Sequence, residues 1–368
     1  MKILVQLSHP AHFHYYRIAI QNWRNAGHSV FVLIKSKDIL EQLVRDAGIP
    51  YVNINSHPHR KSRLGVLWDM IIRDWKLFWF CIFKRVDLLT GSTAEVAQIG
   101  WVLHRPAICT GEDDAAVVPM YVKFTSPFLQ VRLTPISCDS GIMAPKTIKY
   151  ASYHELAYLH PHHFIPDVKS ITKYGIKEDE SFFILRFASL SAHHDSGIKG
   201  IDDDTANQLI ELLLSYGRVL ITSERSLNAK LEPYRMAIDP LDIHQVMAFS
   251  SIYIGDSQTM AAEAGVLGIP FIRYNDFVGR IGYLNEIENV YQLGYGIRAS
   301  EEGSSTRLLD KTRELLSMPD RRAVFFNRRQ KMLSEKIDYS QFLTWFIENY
   351  PESARIMREN PDYQWRFK

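Results

Sequence analysis

The chain has 368 residues, 46% of them hydrophobic and 23% charged, which excludes a disordered polyelectrolyte and predicts two folded domains of similar size rather than one core. A formal net charge of +2 gives no overall attraction to nucleic acid, and three cysteines without paired short spacing (Cys81, Cys109, Cys138) exclude a disulfide scaffold or zinc ribbon. Reduced thiols in a cytoplasm are the expectation. The first residues, Met1-Lys2 then Ile3–Leu7, have the pattern of a strand and not the longer apolar core of a signal peptide, and no apolar run is long enough to span a bilayer.

In chain order the first half alternates strand and helix: 2–7, 15–26, 29–34, 38–47 and 51–54. A basic, histidine-bearing loop follows at 56–62. An aromatic-rich helix is expected from Leu64 to about Phe83, then a strand at 87–90, a helix at 93–103 and a strand at 106–109. The pattern breaks between Ile136 and Pro166, where prolines, tyrosines and histidines cluster, and the domain junction is expected there. It restarts with a strand at 181–186, a helix at 204–215, a strand at 218–222 and a helix at 242–248. Helices dominate from Ser305 onward.

The segment 251–273 is the most informative. An apolar run stops at Asp256, Ser257 stands as a helix N-cap, small residues run to Gly268, Pro270 ends the helix, and a second apolar run follows. This is a strand–helix–strand unit of a parallel sheet. Its helix start offers unpaired N–H groups and the hydroxyls of Ser257 and Thr259, a setting that favours phosphate. Glu263, a carboxylate among alanines and glycines further along the helix, would find a partner in a ribose diol. The residues alone equally permit an ordinary cap and an ordinary helical carboxylate.

Ligands of doubly wound sheets sit at the carboxyl ends of the strands. The loops after strands are therefore the candidate site segments: 8–14, 91–93, 110–114, 187–195, 240–244 and 256–259. Arg186, at the end of a strand, is placed to clamp a diphosphate with two hydrogen bonds, against the alternative of a surface ion pair. Glu112 and Asp113 follow the strand at 106–109 and are expected to line a cleft. His12 follows the first strand and is a candidate base, or a loop histidine without chemistry. His193-His194-Asp195 is not expected to bind a metal, because adjacent side chains on an extended loop diverge and no third ligand lies at helical spacing. The triplet Asp202-Asp203-Asp204 is expected to cap the helix behind it. The segment 64–85 carries Trp68, Trp75, Phe78, Trp79, Phe80 and Phe83 between charges that forbid spanning a membrane. A buried helix of the first domain is the preferred reading; an interfacial helix making peripheral membrane contact is the other.

Three segments, Ser8-His-Pro-Ala-His12, Arg186-Phe-Ala-Ser-Leu-Ser-Ala-His-His-Asp195 and Gly255-Asp-Ser-Gln-Thr-Met-Ala-Ala-Glu-Ala-Gly265, are similar to the glycosyltransferase-like family known as domain of unknown function 354. Tyr153–Pro161 and Thr90–Glu95 fit the same pattern. The resemblance implies the GT-B fold, two Rossmann-like doubly wound parallel-sheet domains with a cleft between them: 1–165 on the acceptor side, 166–340 on the nucleotide-sugar side, and a helical segment 341–368 crossing back. Lipid-acceptor nucleotide-sugar glycosyltransferases and non-hydrolysing UDP-N-acetylglucosamine 2-epimerases are the implied relatives. By the same resemblance Ser257, Gln258 and Thr259 hold the donor diphosphate, Glu263 the ribose, and His193 or its neighbour contacts substrate; His244 in the 240–244 loop joins the nucleotide group. Two departures stand out. The epimerases have an aspartate where this chain has Gly91-Ser92-Thr93, and related sequences often have a histidine at Asp113 or Asp114.

The sequence-based expectation is an inverting, metal-independent glycosyltransferase without a cofactor, moving a sugar from a nucleoside diphosphate to a glycan or lipid-linked acceptor in surface polysaccharide biosynthesis. Asp113, Glu112 or His12 would serve as base. A nucleotide-sugar 2-epimerase and a non-catalytic nucleotide-sugar binding protein are the alternatives.

Overall fold

The computed structural model describes residues 1–35, 39–55, 63–188 and 199–368. The chain divides into two compact units, residues 1–158 with 337–368, and residues 159–336.

The first unit is built on seven parallel strands: β1 (Lys2–Leu7), β2 (Ser29–Lys35), β3 (Tyr51–Asn55), β4 (Leu88–Gly91), β5 (Ala107–Thr110), β6 (Val131–Pro135) and β7 (Thr147–Tyr150). Their order is β3-β2-β1-β4-β5-β6-β7. The central strands β4 and β5 are buried throughout and β1 is buried after Lys2, as expected for strands covered on both faces. Helices α1 (Pro10–Asn25), α2 (Leu40–Asp46), α3 (Arg63–Lys84), α4 (Ala94–Val102), α5 (Pro119–Thr125) and the short α6 (Leu156–Leu159) connect them. The sequence pattern anticipates the first five strands but not β6 and β7. The parallel sheet therefore continues into the stretch expected to be the domain junction.

The second unit holds α7 (Lys169–Thr172), β8 (Phe182–Phe187), α8 (Asp203–Leu214), β9 (Arg218–Ser223), α9 (Ile243–Phe249), β10 (Ile252–Gly255), α10 (Gln258–Leu267), β11 (Phe271–Tyr274), α11 (Gly282–Asn289), β12 (Gly294–Ile297), α12 (Ser304–Ser317) and α13 (Arg321–Ser334). Its parallel strands lie in the order β12-β11-β10-β8-β9. Asp202 caps α8 by accepting the Thr205 N–H at 2.8 Å, as the acidic triplet leads one to expect.

The chain then returns to the first unit through α14 (Tyr339–Glu348) and α15 (Glu352–Glu359). Ile337 N–H donates to Ala151 O at 2.9 Å, and the buried Tyr339 and Tyr15 hydroxyls meet at 2.9 Å. Asn22 Nδ2 reaches Thr344 Oγ1 at 3.2 Å, fixing α14 against α1.

Helix α3 is neither wholly buried nor detached. Leu77 and Cys81 enter the core with Val96 and Ile99 of α4, while Trp68, Trp75 and Trp79 are exposed. The preferred expectation of an ordinary buried helix is thus corrected: only one face is core. Among the described residues no helix is long and apolar enough to cross a membrane.

Candidate functional site

In the second unit the strand order reverses between β8 and β10: β8 runs on to its neighbour β9 on one side, and the chain then crosses back to β10 on the other side of β8 and continues outward to β11 and β12. Such a switch point leaves a crevice at the carboxyl ends of the two strands. Arg186, the last residue but one of β8, lies beside Gly255, with which it is in register. A Cβ at Gly255 would lie 2.8 Å from the Arg186 Cβ and 2.7 Å from the Tyr253 hydroxyl, so glycine is required for the strands to meet this closely.

Helix α10 starts at this edge. Ser257 Oγ accepts the Met260 N–H at 3.4 Å, and Gly268 closes the helix in the left-handed conformation at φ 82°. The capping role expected of Ser257 is realised, which leaves the Gln258 and Thr259 N–H groups as the open donors of the first turn. Arg186 pairs with Glu224 through one terminal nitrogen. Its Nε, and the Oε1 of Gln258, are buried without a hydrogen-bond partner among the described residues. These unsatisfied groups have polar capacity to offer a ligand.

Two residues to which the sequence assigned no role of their own organise the site. Asp256 is buried; its Oδ1 accepts the Ala188 N–H at 2.6 Å and its carbonyl accepts Asn275 Nδ2 at 2.8 Å. Burial pushes its carboxyl up to about 6, against the Ala188 N–H and the guanidinium groups of Arg225 and Arg186. Glu224 is the present partner of Arg186. An aspartate at the end of an apolar run was the available signal for the first; nothing local marks the second.

Glu263 and His244 are brought together by the packing of α9 against α10. Glu263 Oε1 lies 2.9 Å from His244 Nε2, and both side chains are buried. The contact holds the carboxylate in one orientation. His193 lies outside the described residues.

In the first unit the order reverses between β1 and β4. A Cβ at Gly91 would lie 2.8 Å from the Gln6 carbonyl oxygen, so the two strands meet through a glycine here as well. His12, on the first turn of α1, has its Nδ1 3.3 Å from the Ser8 N–H. In that contact Nδ1 is the acceptor.

The acidic loop after β5 is divided by its hydrogen bonds. Glu112 Oε2 lies 3.3 Å from both the backbone N and the Nδ1 of His154. Asp114 Oδ1 accepts the Asp139 N–H at 2.7 Å, and the Asp113 side chain is exposed. Arg132 on β6 is fully buried; one nitrogen donates to the Asp113 carbonyl at 2.9 Å, and its Nε and Nη1 have no partner among the described residues. Gly111 makes room for it, since a Cβ there would lie 3.3 Å from the guanidinium. Tyr15 stacks on His154 with ring centroids 4.1 Å apart. Burial, with Arg132 adding and Asp113 opposing, pushes the imidazole down to about 3, so His154 is neutral and can donate Nδ1–H to Glu112. Arg132 was not marked by the sequence, because the strand carrying it does not look like one; His154 lies within the Tyr153–Pro161 segment but was given no role of its own.

No family profile matches the chain, and no curated protein matches it. Solved structures do. A UDP-GlcNAc 2-epimerase from Neisseria meningitidis, determined with UDP-GlcNAc bound, aligns over 91% of this chain and 99% of its own at 13% identity, with a TM-score of 0.59. The spinosyn rhamnosyltransferase SpnG complexed with thymidine diphosphate aligns over 95% and 100% at 13% identity, with a TM-score of 0.64. A Streptomyces glycosyltransferase aligns over 95% and 100% at 12% identity, with a TM-score of 0.58. The chain therefore shares the two-unit parallel α/β fold of these structures. Its similarity spans transferases and epimerases alike.

Proposed function

We propose that the chain is a nucleotide-sugar enzyme, and specifically an inverting glycosyltransferase that transfers a sugar from a nucleoside diphosphate to a hydroxyl of a glycan or lipid-linked acceptor, in the making of a surface polysaccharide. The observation that carries the reading is the β8–β10 strand edge, where Arg186 beside Gly255, the open N–H groups of α10 and the Glu263–His244 pair converge. Arg186 and the α10 N-terminus would stabilise the departing diphosphate by fixed positive charge, without a metal ion. Glu263 would take the ribose diol, and Ser257, Gln258 and Thr259 the phosphates. We assign proton removal from the acceptor to Asp113, with Glu112 as the second candidate.

A 2-epimerase is the second reading, supported by the similarity to the Neisseria meningitidis enzyme. It is weakened by Gly91-Ser92-Thr93, which leaves no carboxylate where the epimerases have one. Incubation with UDP-, TDP- and GDP-sugars, with and without acceptor, tests these readings. A transferase turns over only with acceptor, an epimerase turns over without it, and a sensor binds donor and yields no product. Failure of calorimetry to detect any nucleoside diphosphate would remove all three.

A further inference from the structure

The outer face of α3, described above only as not core, has a regular composition. Trp68, Ile71, Trp75, Trp79, Ile82 and Phe83 are all exposed, at spacings of three and four that place them on one side of the helix. Trp75 is 63% exposed and Phe83 76%. Trp79 packs against both, edge-on to Trp75 at 5.6 Å and stacked on Phe83 at 5.5 Å, which makes a continuous aromatic strip at the surface. The neighbouring helices extend it: α4 packs on α3 and α5 on α4, and they expose Trp101, Val102 and Met120. Four of the five large exposed tryptophans of the described chain lie on these two helices, α3 and α4. An apolar surface of this extent is uncommon on a protein that keeps to itself.

The charges on the same three helices are sorted by sign. Lys84 and Lys123 are exposed, as are Arg85 and Arg105 just beyond α3 and α4; Lys76 Nζ donates to Ile54 O at 3.0 Å, and Asp87, the one exposed acid just past α3 among the described residues, accepts the Lys2 N–H at 2.7 Å. The acids are turned away. Glu95 is buried, accepting Lys35 Nζ at 2.7 Å and Arg73 Nε at 3.0 Å, while Asp69 and Asp74 are partly buried and α5 contains no acid. Among the described side chains of α3, α4 and α5 no carboxylate is exposed.

We propose that the α3–α4–α5 face of the first unit docks on the surface of an anionic lipid bilayer, the aromatic strip entering the boundary between headgroups and acyl chains while Lys84, Arg85 and Lys123 meet lipid phosphates. Indole rings suit that boundary because they pair an apolar body with one N–H donor. A second copy of this chain is a poorer occupant: a twofold contact through this face would set basic residues against basic residues. The inference rests on exposure and charge and stands apart from the reaction proposed above. Combined with that reaction, it favours an acceptor carried on a lipid.

The test is co-sedimentation of the full chain with vesicles of phosphatidylcholine alone and of phosphatidylcholine with phosphatidylglycerol, at low and high salt. Binding to the anionic vesicles, a blue shift of tryptophan emission, and weakening as salt rises are expected. The exposed pair W75A/F83A should weaken binding by about tenfold or more, as should K84E/R85E, with thermal melting of both variants close to wild type. A folded wild-type protein that ignores anionic vesicles would overturn the proposal. So would a dimer in light scattering that W75A/F83A dissociates, since the face would then belong to a second copy.

Discussion

The imidazole of His244 meets the carboxylate of Glu263 at 2.9 Å between two packed helices, and neither side chain reaches solvent appreciably. A buried carboxylate fixed by such a contact has a set direction, which is what recognition of a diol requires. Glu263→Ala should lower nucleotide affinity by about 1–3 kcal/mol, the scale of a lost charged hydrogen bond. His244→Gln should lower it less, because it misdirects the carboxylate without removing it. Calorimetry with the nucleoside diphosphate that binds wild type checks both; unchanged affinity in Glu263→Ala removes the ribose assignment.

Arg186 is held by Glu224, so a diphosphate must displace that carboxylate or share the guanidinium with it. Glu224→Gln should therefore tighten diphosphate binding, by about 1 kcal/mol or less given the exposure of Glu224. Arg186→Lys should impair binding or turnover, since a point charge does not replace a bidentate fork. Wild-type kinetics in Arg186→Lys would sink the role.

His154 makes stability depend on pH in a defined direction. Its ring is pushed down from 6.5 to about 3 in the folded chain, mainly by burial. Between those values the unfolded chain binds the proton and the folded chain does not, so this contribution is complete above pH 6.5 and is lost as pH falls. Urea unfolding of wild type should lose about 2–3 kcal/mol more than His154→Gln over the first two pH units below that point. Parallel pH profiles for the two proteins would contradict it.

Transfer should proceed in excess chelator. Asp202 is committed to the α8 cap and Asp203 to Asn228 Nδ2 at 2.8 Å, so this triplet has structural work, and fixed positive charge at the β8–β10 edge is assigned the role of a cation. Activity that returns only with magnesium or manganese would overturn the metal-independent mechanism.

The parts of the fold legible in the sequence are those written in local chemistry. Strands β1, β8 and β10 are near-continuous apolar runs because both faces are covered. Ser257 and Gly268 mark the ends of α10, as Asp202 marks the start of α8, because a helix must satisfy its own terminal N–H and C=O groups with adjacent residues. Strands β6, Val131–Pro135, and β12, Gly294–Ile297, were missed for the converse reason. One contains a buried arginine and ends in proline, the other alternates glycine with larger residues, and only pairing with neighbours in the sheet makes either a strand.

By itself, then, the sequence determined two parallel α/β units and put Arg186, Ser257, Glu263, Glu112 and Asp113 after or beside strand ends, since periodicity and caps act over a few residues. Tertiary structure alone decided strand order, and with it the switch points. It also paired Glu263 with His244 across 19 residues and Glu112 with His154 across 42. It chose which side of α3 would be core, because the helix is aromatic on more than one face and only its packing against α4 and the sheet selects the inner one. Contacts between distant segments depend on how elements pack, and packing energy is shared over the whole sheet, so no local window of sequence contains it.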